Sequence, residues 1–497
     1  MNIDFENCSA ACCREIVKQT KLIQEHAECI VSDVLEDVGQ ISSAEAQLCL
    51  KSKDVGEHGV SITAEAEISV FYITEGGERV RSMRFSKTFD AEFECPALSP
   101  DASAQVSLVC QGVQARAVNP RKIAVQLTVR ADLSCWAPDC LEIPLSAEGD
   151  LVESLQLRLA DTQSVLTVDL SEKSFVLSEQ LPLPGDCEPS GIVCARAELL
   201  CRDCQTIGSK ALIKGGAQIR VGYETQTGML PSFAEQCLPF SVLVEMPDEY
   251  CSPGRVILET TALYAELSDA INGSRVVELE LHGVAQMSFV KNETITYIAD
   301  AYSTRCPVIV QRTAVPLCLC RRKERLSATT CERIPVDTER GSVVDCGAEL
   351  LSIAAKDGKA VLSVSVSLLF CTEDGSFSAQ QRLFSLETQL PDTEAELIAA
   401  RVVSTKAERQ GEEIALSLSA EIDCMCSETS EIRYLSSLEL DTENAYDPAS
   451  IPSLTVARGA GRELWTIAKL YNSSVEAIGA LSEKYALPGD LLLIPRV

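Results

Sequence analysis

Histidine is almost absent from this chain: three occur in 497 residues, His26, His58 and His282. They lie in three separate regions, so neither a Ser-His-Asp nor a Cys-His set can be assembled around them. His282 follows Leu281 in an alternating stretch and falls on the face opposite Leu279 and Leu281, which reads as a solvated or satisfied histidine. Tryptophan is as scarce, with two residues. No run of about 18 apolar residues occurs, so no membrane-spanning helix is expected. Met1 to Glu6 carry no basic stretch and lead into no long apolar run, so they do not read as a secretory signal. There is no phosphate loop; Gly459-Ala460-Gly461 is a lone GxG. Carboxylates are plentiful, but no pair stands out from a solvated acidic surface. The expectation is a protein without catalytic residues, cofactor or enzymatic activity.

Cysteine, by contrast, is abundant at 23 residues. Without an export signal this points to a reducing cytosol rather than a disulfide framework. Cys201 and Cys204 form a CxxC; Cys318 with Cys320 and Cys424 with Cys426 form CxC pairs. A structural zinc needs four ligands, usually two such pairs meeting in space. Each pair here adjoins a β stretch expected in a different domain, so no metal site is expected. The net charge is -30. Residues 453–497 hold five basic and four acidic side chains, or +1, which leaves -31 on the remainder. Such a body repels nucleic acid and anionic membranes, so neither nucleic-acid binding nor membrane insertion is expected.

From about Val31 the chain repeats itself. The first mark is a strand of period two: Val60, Ile62, Ala64, Ala66, Ile68 and Val70; then Ala217, Ile219, Val221 and Tyr223; then Leu362, Val364, Val366, Leu368 and Phe370. Each ends in a glycine turn, at Gly76, Gly228 and Gly375. The second mark is a Phe seven residues before a Pro, at Phe89 and Pro96, Phe240 and Pro247, Phe384 and Pro391. The third is a closing hairpin turned by Asn119-Pro120, Asn272-Gly273 and Gln410-Gly411. Three marks in one order, three times, predict three homologous β domains of roughly 100 residues. Two-sheet sandwiches and partly closed barrels both give this alternation, and the sandwich is preferred. The expected division is a leader over 1–30, partly helical; β repeats at 31–136, 177–289 and 331–426; connectors at 137–176 and 290–330; a tether at 427–451; and a small domain at 452–497.

That last stretch reads as strand, helix, helix, strand. Leu464, Ile467, Ala468 and Tyr471 form a helical apolar stripe, Ser473 and Glu476 have capping-box spacing, and Pro488-Gly489 leads into the apolar run Leu491 to Ile494. On Gly461, Leu464, Trp465, Ile467, Ala468, Tyr471, Ile478, Leu481, Pro488, Gly489, Leu491, Ile494 and Pro495 the segment resembles a LysM module, a βααβ fold best known for binding N-acetylglucosamine polymers. It departs from that family where Gly461-Arg462-Glu463 replaces Gly-Asp-Thr or Gly-Asp-Ser, and where Ser482 replaces Asn. The resemblance places partner- or glycan-binding candidates at Gly461, Arg462, Glu463, Ser482, Leu487, Pro488 and Gly489.

The triple β repeat, the patch Asp300-Ala301-Tyr302-Ser303-Thr304 and the terminal module together resemble the spore-coat morphogenesis proteins of the SipL and SpoVID type. That resemblance implies a scaffold or adaptor in spore coat assembly, in the mother-cell cytoplasm at the forespore surface. It would dock other coat proteins to the coat-scaffold ATPase through the LysM module. The alternative is a peptidoglycan-binding protein that reads N-acetylglucosamine polymers.

Overall fold

The computed structural model describes residues 2–96, 98, 101–149, 152–184, 188–226, 228–269, 275–335, 341–447, 449, 452–459, 461–484 and 491–497. The chain is mainly β, and one order of six strands recurs three times. The first unit is β1 (Asn2–Ile30), β2 (Val38–Val55), β3 (Gly59–Thr74), β4 (Val80–Glu94), β5 (Ser103–Asn119) and β6 (Lys122–Glu148). The second is β7 (Leu155–Pro182), β8 (Pro189–Ile207), β9 (Lys210–Thr225), β10 (Ser232–Glu245), β11 (Ser252–Asp269) and β12 (Arg275–Ser303). The third is β13 (Val308–Pro335), β14 (Ser342–Lys356), β15 (Lys359–Cys371), β16 (Phe377–Gln389), β17 (Glu396–Gln410) and β18 (Glu413–Leu440).

In each unit the second to fourth strands form one three-stranded sheet, ordered β2-β3-β4, β8-β9-β10 and β14-β15-β16. The first, sixth and fifth strands form the other, with β6, β12 and β18 central. Alternation explains the packing. Ile62, Ile68 and Tyr72 of β3 share one core with Ile123, Leu127 and Val129 of β6. Ile213 and Ile219 share another with Leu279 and Leu281, and Leu362 and Phe370 a third with Ile414 and Leu418. Two sheets thus pack face to face over each core. At the end of β3 alternation stops, and Phe71 through Thr74 are all buried. The outward face there joins a cluster drawn from all three units, Phe71, Ile73, Val80, Val193, Leu369 and Phe377 among them. Backbone bonds cross between units at the same place, from Val80 N to Met229 O (2.7 Å) and from Phe377 N to Gly77 O (2.7 Å).

The long strands overturn several expectations. Residues 2–30 are neither leader nor helix: they are β1, paired with β6 from Asp4↔Glu148 to Ile30↔Lys122. Residues 155–176 and 308–330 are likewise the first strands of their units, paired with β12 and β18. Residues 427–440, expected in the tether, complete β18. Each first strand begins outside its sandwich, as half of a two-stranded arm, and enters the sandwich after a bulge that leaves one apolar residue unpaired: Ile16, Val168 and Leu319. A second bulge in the last strand skips Leu145, Ala299 and Ser436. The three arms pack on one another through Ile143, Ile295, Leu317 and Ile432, and through Ile3, Leu155, Ile298 and Leu438. The sheets of the first and third units join where Asn2 faces Glu439 and Ile3 faces Leu438.

The C-terminal module is β19 (Leu454–Arg458), α1 (Leu464–Leu470), α2 (Val475–Lys484) and β20 (Leu491–Pro495), with the two strands antiparallel. Of the expected apolar stripe, Ile467 and Ala468 are buried, whereas Leu464 and Tyr471 remain exposed. The second helix is capped by Ser474, whose Oγ accepts from Ala477 N (3.1 Å), not by Ser473. Ser473 donates instead to Pro495 O (2.5 Å), tying the interhelical turn to β20.

Candidate functional site

The module sits on the outer end of the second unit's arm, on Asp300-Ala301-Tyr302-Ser303-Thr304. Strand β12 has just passed the bulge at Ala299, which sets the facing of the residues that follow. Tyr302 is buried and belongs to the module's own core, with Ala457, Ile467, Ala468, Ile478 and Ile494. Its ring meets that of Trp465 edge to face, centroids 4.9 Å apart at 71°, an arrangement that aromatic pairs favour. Its hydroxyl donates to Ser473 O (2.6 Å), and burial pushes its pKa up to about 12. Ser303 and Thr304 fix the strand end below: Ser303 Oγ lies 3.1 Å from Ser154 Oγ, and Thr304 N donates to Ser154 O (2.8 Å).

Asp300 is the electrostatic centre. It accepts from Trp465 Nε1 (2.9 Å) and Lys469 Nζ (2.7 and 2.8 Å) of the module, and from Arg312 Nη2 (3.0 Å) of β13. Burial alone would raise its pKa, but the bonds from Lys469 and Trp465 outweigh that and hold it below the usual carboxylate value. Arg158, the cross-strand neighbour of Asp300, pairs with Glu463 (2.9 Å).

The sequence-derived candidates divide. Gly461 has φ +71°, a left-handed conformation suited to glycine, and it starts the turn into α1 with open space around it. Arg462 is exposed, its side chain turned to solvent while its N–H donates to Gly459 O (2.9 Å). Glu463 stands at the N-cap of α1 but makes no side-chain cap bond; its carboxylate reaches Arg158 instead. The departure from the LysM pattern thus falls where the module meets the body. Ser482 Oγ is buried without a hydrogen-bond partner. Leu487, Pro488 and Gly489 lie outside the described residues, as does the Asn272-Gly273 turn. Asp300 and Tyr302 were legible as a family-like patch but not as a seat, and Arg158 carried no signal at all.

The cysteine pairs are distributed differently from expectation. Cys318 with Cys320 and Cys424 with Cys426 lie on β13 and β18, neighbouring strands of one unit, because residues 308–335 belong to the third unit. They are staggered: Cys320 faces Glu428 and Cys426 faces Arg322. Burial pushes the thiols of Cys204 and Cys424 up, to about 12 and about 11, the opposite of what a reactive thiolate needs. Among the described residues no group of three His, Cys, Asp or Glu gathers for a metal, and no helix is long and apolar enough to cross a membrane. His282 Nε2 pairs with Glu280 (2.6 Å) on a partly exposed face.

Residues 37–118, which span β2 to β5, match the family model described as SipL, SPOCS domain. The match supports a relation to SipL-type sporulation proteins over that stretch. No curated protein and no solved structure matches the chain.

Proposed function

We propose that the chain is a non-enzymatic scaffold of spore-envelope assembly. Its body is three copies of one β-sandwich domain, and its C-terminal LysM module docks coat proteins to the coat-scaffold ATPase at the forespore surface, from the mother-cell cytoplasm. The match of residues 37–118 to the SipL, SPOCS domain carries this reading. The recurrence of the same strands at 189–269 and 342–410 extends it to the other two units. Three packed sandwiches joined through arms present broad, rigid surfaces, which suits a structural role.

The second reading, binding of N-acetylglucosamine polymers, is supported by the βααβ module. Against it stand Arg462 and Glu463 in the loop where the LysM pattern has small polar residues. Titrating the full chain with the purified coat-scaffold ATPase and, in parallel, with N-acetylglucosamine oligomers separates the two. The adaptor reading expects binding to the ATPase, loss of it in a chain ending at residue 451, and at least a tenfold weakening by Arg462→Asp. Saturable sugar binding without ATPase binding would overturn it.

A further inference from the structure

The faces that the three-stranded sheets turn away from their own cores converge, and a cavity of about 520 Å³ lies between them. All three units line it. Its rim is exposed at Gln114, Gln381 and Leu383, so it opens to solvent. Such a volume suits a small ligand.

Internal repetition shows what the wall lacks. Counting from the bulge that skips Ser42, Val193 and Val344, one position is Glu45 in the first unit, Arg196 in the second and Gly347 in the third. Their cross-strand neighbours are Ser69, Arg220 and Ser367. This layer holds two guanidinium groups and one carboxylate. Arg220 takes the carboxylate, donating to Glu45 Oε2 (2.9 Å), and also pairs with Glu235 (3.3 Å). Arg196 is left over. It lies deep in the protein, and the surface it keeps is cavity wall. Among the described residues no hydrogen bond or ion pair reaches it. In a chain with 73 acidic against 43 basic residues, that is not for want of acids.

Two positions further along β14, Glu349 also lines the cavity. Its Oε1 accepts from Cys110 Sγ (3.7 Å), a weak donor. Burial opposes the charge of Arg196, and Glu349, ahead of Glu45, sustains it. Yet among the described residues no ion pair joins Arg196 to either. Asp345, the wall's other acid, lies in the field of Arg220 and takes a backbone bond from Cys346. Gly347 leaves its part of the wall bare: no heavy atom stands within 4 Å of where its Cβ would be. Phe71, Leu230 and Phe233 form an apolar side.

We propose that this cavity binds a small zwitterion, a free amino acid with an apolar side chain. Its carboxylate pairs with Arg196, its ammonium with Glu349, and its side chain lies against Phe71, Leu230 and Phe233. An anion alone would sit beside Glu349, and a cation alone beside Arg196. A ligand carrying both charges meets both groups and adds no net charge to the interior. The site is separate from the C-terminal module and independent of what that module binds.

The test is calorimetric titration of the full chain with the free amino acids, leucine and phenylalanine foremost. Isoamylamine and isocaproate, phenethylamine and hydrocinnamate serve as analogues that each lack one charged end. The expected result is one saturating site for an apolar amino acid. Loss of either end, or Arg196→Gln, is expected to weaken binding about tenfold or more, the worth of a charged hydrogen bond. Gly347→Glu sets the first unit's residue on the bare wall. It is expected to abolish binding while the unliganded chain melts no lower than the wild type, and it decides the matter should Arg196→Gln not fold. Absence of binding by every amino acid overturns the proposal and leaves a cavity that holds water. Isocaproate binding as tightly as leucine removes the part of Glu349 and overturns the zwitterion. Binding that survives both substitutions places the ligand elsewhere and overturns the site.

Discussion

Removal of residues 1–30 is expected to unfold the first sandwich, not to trim a dispensable leader. Strand β1 covers one whole edge of β6, with partners from Asp4↔Glu148 to Ile30↔Lys122. Its Ile23 is buried in the first core, and Ile16 and Val17 pack against that core. Its outer end carries Ile3, which joins arms from all three units. Deletion would strip the backbone partners from one side of a 27-residue strand and open the core at Ile23. The loss approaches the roughly 5–15 kcal/mol by which a domain is stable at all. The bared edge of β6 would also pair with other chains. The expected result for a chain starting at residue 31 is loss of one cooperative transition, rapid proteolysis within 31–148, and aggregation. A truncated chain with the full chain's melting profile would contradict the pairing.

That strand also shows what could be read in advance. The central strands β3, β9 and β15 declared themselves because each buries one face completely, as with Leu362, Val364 and Val366. The glycine turns and the βααβ tail were equally local. The long strands were not. Over its outer half β1 faces other arms through small or weakly apolar residues such as Ala10, so alternation fades into Cys8, Ser9 and Cys12. A strand is usually about five or six residues, whereas β1 spans 29. The expected boundaries at 136 and 289 fell inside long strands because the chain passes from sandwich to arm without a turn, and those at 176 and 330 fell inside the first strands of the second and third sandwiches. At the module, the loop residues Arg462 and Glu463 were legible from a departure in pattern. The seat was not, because Tyr302 and Ser473 are 171 residues apart, and no local period reports a contact of that kind.

The seams between units make a second large effect, governed by pH. Glu259 of β11 lies against β5 of the first unit, where its Oε1 accepts from Leu108 N (3.2 Å). Burial pushes its carboxyl up to about 8; bonds from Ser107 and Leu108 only partly oppose this, and Asp132 adds to it. In the unfolded chain the ordinary value is 4.5. Below 4.5 both states hold the proton and the contribution to stability is full. Between 4.5 and about 8 the folded state keeps a proton that the unfolded state has released, so stability falls as pH rises, by up to about 1.4 kcal/mol per unit, and is lost above 8. Glu198, Asp345 and Glu349, also at seams, are raised by burial in the same sense. Asp300, Glu396 and Asp423 are lowered, so their contributions are lost only as pH falls below the carboxylate range, outside this window. Glu259→Gln keeps an acceptor for Leu108 N and cannot ionise. Denaturant midpoints from pH 5 to pH 8 should therefore fall steeply in the wild type and more gently in the variant. The two should nearly coincide at pH 5, with the variant more stable by roughly 2–4 kcal/mol at pH 8. Parallel curves would mean that Glu259 is ionised within the fold, and that the seam between the first two units admits enough water to carry the charge.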